Sequence, residues 1–535
     1  MDRNRDGLLK ALIALGAAFH AAALVAGLFG RFTDGDEGGA LILAKEVING
    51  RVPILDINAH NQPLLYYLYG GWMRLFGFSI VSGRTLSAAA IFATGIILIW
   101  WTRRFTKDLT STLLVYLLFI TNLTFFKADI PVKPFALSNF LTFASFAIVT
   151  GCYLKDRRLN YEALAASGLL LGASMGVRLI FALPPLFALW LAVVLWMDKE
   201  RITETAKKLA AFTLSVTAPM LPAIAIFIME PRRAYAIWGG IYGQIYLGRG
   251  ANPDFLTDVH GSGKYAMIRM GLKEIVTVPD TAFLIAVLAA STAIFIYKRR
   301  DIESRVTRVY LLAWLAFGGI AYVCANLYGN YLGYVNQLAV FAICLSTPLF
   351  MEISRRFGLK KILICSCAAS VAVTAGLYLH FQARLRTSIF YIFRTQDTII
   401  TPAFVDSVSD KIIKKLTKEG DAVFDNWGVF VFASGRTPVR GFEYPTDSAL
   451  YWQLMADKTK AGGYLYLPAP ELYKKIERKE FALMILGDAS ELQTLTGVEA
   501  APNELRTRTE QYYALYEKFF VKPTNAWVLI YRPKG

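Results

Sequence analysis

Long apolar runs are the feature that most constrains this chain. Stretches of about 17–22 apolar residues, the length that a membrane hydrocarbon core requires, recur along residues 1–382. Only 18% of the residues are charged and 55% are hydrophobic, which excludes a disordered chain, a fibre and a single soluble domain. The runs predict an all-α polytopic membrane domain with about eleven spanning helices, at residues 8–30, 86–102, 109–126, 135–153, 161–177, 179–196, 209–229, 281–297, 309–325, 334–351 and 362–382.

The distribution of Lys and Arg predicts how these helices are oriented. The chain carries 57 Lys and Arg against 40 Asp and Glu, a net charge of +17. In a soluble protein this excess would indicate nucleic-acid binding, but here basic residues fill every second connector, at 103–107, 155–158, 199–208, 298–308 and 355–361. Because cytoplasmic loops are enriched in Lys and Arg, we expect a cytoplasmic N-terminus and, after eleven spans, an external C-terminus.

Three segments outside the spans are too long to be simple turns. Two of them, 31–85 and 230–280, are predicted outer loops of a membrane domain that covers residues 1–382. The third, 383–535, is predicted to form an extracytoplasmic (periplasmic) α/β domain, because it combines an amphipathic stretch with short β-like runs. The amphipathic stretch is 405–416, and the β-like runs are 422–424, 481–486 and 526–531.

Three carboxylates, Asp34, Asp36 and Glu37, open the first outer loop directly after the first span. Carboxylates grouped in this way can act as a general base, bind a metal ion or hold a substrate. The structural alternative is that they cap the next helix and favour the positive end of its dipole. That helix is predicted at 40–48 as a short amphipathic segment on the membrane surface, and an aromatic-rich one follows at 63–76.

Cationic side chains on the outer side are candidate partners of an anionic substrate. Lys127 and Lys133 lie with Asp129 in one short connector, Arg178 stands alone between two spans, and Arg84 opens the second span. For each cation the structural alternative is snorkelling to lipid headgroups. Asp129 and Arg178 have no polar run around them, and charges at membrane depth tend to face a bundle interior or a cavity, which favours function for these two.

Two further outer segments contribute candidates. Arg249 lies in the loop 239–260, whose Gly and Tyr content suits a mobile lid. Tyr331 and Tyr334 belong to an aromatic connector that could equally be an interfacial belt. The sequence contains no Walker loop, dinucleotide fingerprint, HExxH motif or nucleophile elbow, which argues against an ATP-driven pump and against direct use of a sugar nucleotide.

The first outer loop resembles that of a known group of enzymes. Asp36-Glu37-Gly38, then the segment 44–53, then His60-Asn61-Gln62-Pro63 follow the order found in the polyprenyl-phosphate-sugar glycosyltransferases. That group has the GT-C fold and includes the protein O-mannosyltransferases and the lipid A aminoarabinose transferases. Gln62 stands where the group often has Lys. With the spans, the loops and the C-terminal segment in the same order, the resemblance extends over nearly the whole chain.

The resemblance implies a multi-pass glycosyltransferase of a bacterial inner or cell membrane. Such an enzyme transfers a hexose or pentose, with inversion, from a polyprenyl-phosphate carrier to a lipid, glycan or protein acceptor on the outer side. It implies catalytic roles for Asp36 as general base and for Glu37 and Asp129, donor-phosphate binding by Lys127, Lys133, Arg178 and Arg249, and substrate contacts from Arg84, His60, Gln62, Tyr331 and Tyr334. It implies no particular cofactor, with a divalent cation on the carboxylates left open, and no nucleic-acid partner is expected.

Two other classes of protein compete with this interpretation. A transporter or flippase of lipid-linked sugars would also have many spans and scattered charges. Transporters usually have internal repeats and broken midplane helices, and neither is evident in the sequence. A surface binding or assembly protein would instead act through residues 383–535, which contain no evident catalytic cluster of their own.

Overall fold

The computed structural model describes residues 2–59, 61–122, 129–156, 158–179, 182–234, 279–298, 303–326, 332–366, 368–369, 400–443, 469–487, 500–521 and 526–535. Helices make up most of this part of the chain. The helices before residue 357 are α1 (Asp2–Gly30), α2 (Gly35–Ile48), α3 (Pro63–Phe76), α4 (Ile80–Thr106), α5 (Leu109–Ile120), α6 (Pro134–Asp156), α7 (Tyr161–Val177), α8 (Leu183–Met197), α9 (Ile202–Thr217), α10 (Leu221–Met229), α11 (Pro231–Ala234), α12 (Pro279–Lys298), α13 (Ser304–Asn326), α14 (Leu332–Leu345) and α15 (Thr347–Arg356).

Polar side chains set where several of these helices begin. Asp34, Ser79, Asp108 and Asn160 each precede a helix and accept hydrogen bonds from backbone N–H groups of its first turn. These are the residue types that satisfy the unpaired amides at a helix N-terminus. Short connectors that end in a capping residue therefore separate these helices, and each cap determines the residue at which its helix begins.

The apolar helices confirm an integral membrane protein but not the predicted number of spans. In the described part of the chain, five helices are long and apolar enough to cross a membrane: Asn4–Gly30, Ile80–Thr106, Pro134–Asp156, Ile202–Met229 and Gln337–Arg356. Each coincides with a predicted span. Four more predicted spans correspond to shorter apolar helices, at Leu109–Ile120, Tyr161–Val177, Leu183–Met197 and Ala282–Lys298. The predicted span 309–325 lies within α13, and most of 362–382 falls outside the described residues.

The C-terminal segment, which we define as residues 400–535, contains a five-stranded mixed sheet. Its elements are α16 (Pro402–Val408), a π-helical turn (Ser409–Ile413), α17 (Lys414–Leu416), β1 (Ala422–Asp425), α18 (Val429–Ser434), β2 (Thr437–Pro438), α19 (Ala469–Glu477), β3 (Leu483–Gly487), α20 (Ala500–Tyr512), β4 (Tyr513–Val521) and β5 (Ala526–Pro533). The strand order is β2-β1-β3-β5-β4. β1 pairs in parallel with β2 and β3, whereas β5 is antiparallel to both β3 and β4. The strand-like runs of the sequence thus contain the start of β1, most of β3 and most of β5.

The two faces of this sheet pack against different partners. Leu483 and Ile485 of β3 belong to the same hydrophobic core as the helices of the membrane part. Met484 and Leu486, which alternate with them, belong to a separate core with α19 and α20. Successive side chains of a strand point to opposite faces, so one face of the sheet is directed towards the membrane part.

The helix α2 lies at this boundary and differs from its prediction. The sequence predicts an amphipathic helix at 40–48 on the membrane surface, but the helix begins at Gly35, and Glu37–Ala44 are all buried. It packs on α3 at Gly70, where a Cβ would lie 2.4 Å from the Ala44 carbonyl oxygen. α18 of the C-terminal segment covers another side. The part of α2 from Glu37 to Ala44 is therefore held inside the molecule, whereas Asp34 and Asp36 at its start stay partly exposed.

Candidate functional site

Asp34 begins the acidic turn as the N-cap of α2. Its Oδ1 accepts a hydrogen bond from the backbone N–H of Glu37 at 3.0 Å, and its backbone is extended, as expected for a cap. Asp36 and Glu37 follow in the first turn, where the positive end of the helix dipole favours negative charge. The capping alternative is thus correct for Asp34, but capping leaves its other carboxylate oxygen available.

Lys133 brings the two outer carboxylates together. Its Nζ lies 2.8 Å from Asp34 Oδ2 and 3.2 Å from Asp36 Oδ2. The residue stands immediately before Pro134, where α6 begins, so a connector between two spans supplies the ammonium. The Asp36 side chain remains 41% exposed, compared with 25% for Asp34 and 16% for Lys133. We call Asp34, Asp36 and Lys133 the charged cluster.

The electrostatics of this cluster favour the ionised forms of Asp34 and Lys133. Burial alone would raise the pKa of the Asp34 carboxyl, but the charge and hydrogen bond of Lys133, with the Glu37 amide, hold it below its ordinary value. Burial alone would lower the pKa of Lys133, but Asp34 and Asp36 raise it above its ordinary value. Opposite charges a few ångströms apart favour the charged form of both partners. The site therefore contains an ammonium group within 3.2 Å of two carboxylate groups.

Glu37 points the other way and forms a fully buried ion pair with Arg84. Arg84 Nε and Nη2 donate to Glu37 Oε1 and Oε2 at 2.8 and 2.6 Å, and both side chains are 0% exposed. Glu37 Oε1 also accepts the Val132 N–H at 3.0 Å. A bidentate guanidinium–carboxylate pair fixes geometry as well as charge. Glu37 is thus bonded both to α4 and to the connector that carries Lys133.

The remaining donors of Arg84 hold the end of the first span. They bind the carbonyl oxygens of Leu28, Arg31 and Phe32 and the hydroxyl of Thr33, at 2.8–3.2 Å. Leu28 lies in the last turn of α1, where carbonyls lack a helical partner, and the other three residues follow that turn. Arg84 therefore joins the end of α1 to the start of α2, and Glu37 extends the network to the 129–133 connector.

Asp129 and Arg178 are buried, as the sequence predicts for charges facing a bundle interior. Asp129, 1% exposed, accepts a hydrogen bond from Asn139 Nδ2 at 2.9 Å. Arg178, 3% exposed, follows the end of α7 and lies 4.5 Å from the centroid of the Phe135 ring. Gln62 is also buried and precedes Pro63 at the start of α3.

Other predicted residues cannot be compared with this geometry. Lys127, His60, Arg249 and Tyr331 lie outside the described residues. Tyr334 lies in α14, but its side chain is outside the described part. Of the sequence-predicted residues, the structure brings together Asp36 with Lys133, and Glu37 with Arg84. The sequence groups Asp34 with the other two acids without assigning it a role of its own, and its pairing with a lysine 99 residues away had no local signal.

The described residues contain no group of three or more His, Cys, Asp or Glu side chains that could hold a metal ion. In the charged cluster a lysine ammonium lies between the two carboxylates, within 3.2 Å of each. The positive charge there comes from the chain itself. The arrangement offers an exposed carboxylate that can accept a proton, beside a cation that can bind an anion.

The chain has the fold of the GT-C glycosyltransferases, as its resemblance to that group predicts. The particular solved structure that carries this conclusion is ArnT from Cupriavidus metallidurans bound to undecaprenyl phosphate, with a TM-score of 0.60 and 12% identity over 97% of each chain. The same protein in the apo state gives 0.59 at 12% identity, covering 97% of this chain and 98% of that one. No protein-family model and no curated protein matches the sequence.

A shorter similarity joins the chain to the S. cerevisiae protein O-mannosyltransferase Pmt1-Pmt2 complex bound to the sugar donor. It covers 46% of this chain and 36% of that one, at 19% identity and a TM-score of 0.33. The ArnT comparison, in contrast, spans both the membrane helices and the C-terminal segment. The fold of the whole described chain is therefore shared with ArnT.

Proposed function

We propose that this chain is a membrane glycosyltransferase that takes a sugar from a polyprenyl-phosphate carrier and transfers it to a lipid, glycan or protein acceptor on the outer side of the membrane. The observation that carries the proposal is the charged cluster. In it the partly exposed Asp36 carboxylate, in the first loop after a span, lies beside the largely buried Lys133 ammonium. The shared fold with ArnT, which binds undecaprenyl phosphate, supports a lipid-phosphate donor. The distribution of Lys and Arg supports the placement of this loop on the outer side of the membrane.

Asp36 is the proposed general base. It is the most exposed member of the charged cluster and can approach an acceptor hydroxyl. As the acceptor oxygen attacks the anomeric carbon, its proton moves to the Asp36 carboxylate, and the carbon–oxygen bond to the phosphate breaks with its electron pair on the phosphate oxygen. A single displacement of this kind inverts the anomeric centre. A positioned base typically contributes about 10²–10⁴ in rate.

Lys133 is the proposed partner of the departing lipid phosphate. Negative charge grows on that phosphate as the sugar leaves, and a fixed cation stabilises charge that develops in the transition state. Arg178, Lys127 and Arg249 remain candidates for the same phosphate. Asp34 holds the Lys133 ammonium close to Asp36 through a bond of 2.8 Å.

Glu37 and Arg84 take positioning roles in this proposal. Both side chains are fully buried, and their polar atoms are engaged with each other and with the backbone of α1 and the 129–133 connector. They set the position of the acidic turn instead of contacting substrate. Asp129 as a second acid, and Gln62, His60, Tyr331 and Tyr334 as substrate contacts, stay predictions of the sequence.

A transfer assay on purified full-length protein tests the proposal. The protein is supplied with a radiolabelled polyprenyl-phosphate sugar and an acceptor extract, and Asp36→Asn is expected to reduce transfer by about 100-fold or more. Asp410→Asn, which removes an exposed carboxylate paired with Lys414, is the matched control and should retain wild-type activity.

Two outcomes contradict the proposal in different ways. An unchanged rate in Asp36→Asn removes the general-base assignment. Movement of labelled lipid across a proteoliposome bilayer without sugar transfer favours the transporter or flippase alternative instead. No described feature of the helices favours that alternative over the enzyme.

A further inference from the structure

The C-terminal segment touches the acidic turn through two glycines. Gly38 lies one residue after Glu37, and a Cβ built there would stand 2.1 Å from the Trp427 carbonyl oxygen and 2.7 Å from the Val429 nitrogen. Gly428 faces it, with a Cβ position 3.1 Å from the Gly38 carbonyl carbon and 3.2 Å from the Gly39 nitrogen. The two backbones are therefore in direct contact, with the side chains of Val429 and Ile42 beside them. We call this the glycine contact.

Gly428 has a second reason to be glycine. Its φ is +72°, in the left-handed region that residues with a Cβ adopt at a cost. This conformation turns the chain from the end of β1 into α18. The same residue thus meets two requirements, one for the turn within the C-terminal segment and one for the approach to α2.

The turn that presents Gly428 is itself fixed to the sheet. Asp425, at the end of β1, accepts hydrogen bonds from the backbone N–H groups of Trp427, Phe430 and Val431 at 2.9–3.0 Å. Asn426 donates its N–H to the Ile485 carbonyl and accepts the Gly487 N–H, which joins the turn to β3. The turn is consequently a rigid part of the sheet.

Two further contacts reach from the same side towards the entry to α2. The Trp427 ring meets the Phe32 ring edge to face, with centroids 5.8 Å apart. The Thr33 N–H donates to the Ile400 carbonyl at 2.8 Å. On its other side the acidic turn is held by the Glu37–Arg84 pair. The first turn of α2 therefore lies between a buried ion pair and the C-terminal segment.

We propose that Gly38 and Gly428 are positioning residues through which the C-terminal segment sets the placement of Asp34 and Asp36 around Lys133. The inference rests on the proposed function, because it assigns these glycines to the transfer reaction. It gives the C-terminal segment a role at the reaction centre in addition to any binding of the acceptor. Moving α2 away from the turn by the width of a methyl group displaces both carboxylates relative to the ammonium.

The first measurement does not depend on enzyme activity. Lys133 in the full-length protein, reconstituted in nanodiscs, is acylated with a lysine-reactive reagent and the modified peptide is quantified. We expect severalfold faster labelling of Lys133 in Gly38→Ala and Gly428→Ala, since carboxylates that have moved away protect the amine less. Equal labelling of Lys133 in these variants and the wild type overturns the proposal.

Matched controls separate the contact from the general effects of alanine. Gly71→Ala is also helical, and its Cβ meets nothing within 4 Å. Gly435→Ala has a comparable φ of +68° and equally open space. Both are expected to label at the wild-type rate. If Gly38→Ala fails to fold, Asp425→Asn replaces it, because the amide keeps one acceptor oxygen but loses part of the bonding that fixes the turn.

The second measurement links positioning to the reaction. In the transfer assay, Gly38→Ala is expected to lower kcat by tenfold or more with a smaller change in the KM for donor, and Gly71→Ala to leave both unchanged. Faster labelling with an unchanged kcat overturns the positioning role. Absence of transfer in the wild type sinks the proposed function alone, since the labelling of Lys133 still decides whether the glycine contact places the carboxylates.

Discussion

At the scale of single residues, the neighbouring acids Asp36 and Glu37 have different partners because they lie on one helix. Asp36 and Glu37 are adjacent in sequence, yet Asp36 reaches Lys133 at a partly exposed position while Glu37 meets Arg84 in the core. Successive residues of a helix are about 100° apart around its axis, so one acid can face out while the next faces in. Asp34 adds the cap that fixes where this rotation starts.

Lys133 offers the sharpest residue-scale prediction. In Lys133→Gln the two carboxylates lose the cation between them and the donor phosphate loses its partner, so we expect roughly 100-fold slower transfer. The KM for donor should rise as well. Lys414→Gln, which breaks an exposed ion pair with Asp410, is the control.

Steady-state kinetics with the labelled donor measure this effect. Lys133→Arg keeps the charge but not the geometry, and partial activity in that variant would support an electrostatic role. Full activity in Lys133→Gln would show that the donor phosphate is held by other cations.

The individual residues of the site were predictable from the sequence, but their pairing was not. The acids at 34–37, Lys133 and Arg84 all stand out as charges beside apolar runs. The partners of each pair lie 47–99 residues apart, and only the packing of spans brings them together. Nothing local indicates that Arg84 turns inwards, since a charge at the end of a span can equally reach lipid headgroups.

At the scale of elements, α2 and the turn after β1 are the parts that meet at the site. The sequence predicts the strand at 422–424 and a helix within 40–48, but not their contact. An amphipathic pattern predicts that one side of a helix faces water or lipid headgroups. In α2 the C-terminal segment covers that side. The two glycines were present in the sequence, yet a glycine alone does not identify its partner.

The buried Asp425 carboxyl, at the end of β1, is expected to make the stability of the protein depend on pH. Burial raises the pKa of Asp425 to about 6, even though backbone hydrogen bonds from Val431, Trp427 and Phe430 lower it. A carboxyl with a folded pKa above its unfolded value of about 3.9 stabilises the fold when protonated, and this contribution is lost as pH rises through 6. We therefore expect the thermal midpoint of the wild type to rise, relative to that of Asp425→Asn, as the pH is lowered from 7 to 5.

Thermal unfolding followed by tryptophan fluorescence across that pH range gives the comparison. Asp410→Asn, at an exposed position, should keep the pH dependence of the wild type. Parallel curves for the wild type and Asp425→Asn would mean that the carboxyl has an ordinary pKa in the folded state.

At the scale of the whole molecule, membrane helices and sheet share one hydrophobic core. Residues of α2, of the spans and of the inner sheet face all belong to it. Composition and the length of apolar runs were sufficient to predict an integral membrane protein, and the short β-like runs predicted strands of the mixed sheet that follows. The number of spans was less predictable, because several apolar helices are shorter than a membrane is thick and their prolines and caps divide long runs.

The orientation of the chain in the membrane can be tested by cysteine labelling. A cysteine at Arg201 should react with an impermeant maleimide only after cells are permeabilised, because that connector is basic and expected in the cytoplasm. A cysteine at Lys415 should react in intact cells. The parent chain with its natural cysteines gives the background, and the reverse labelling pattern would invert the proposed topology.

The strand order carries a consequence for how the molecule is made. β5 lies between β3 and β4, although it comes after both in the sequence. The sheet cannot be completed until residues 526–533 have left the ribosome, which is after the described membrane helices have been synthesised. A nascent chain would thus contain its described membrane helices before the C-terminal segment can contact α2 and, on our proposal, before Asp34 and Asp36 are positioned around Lys133.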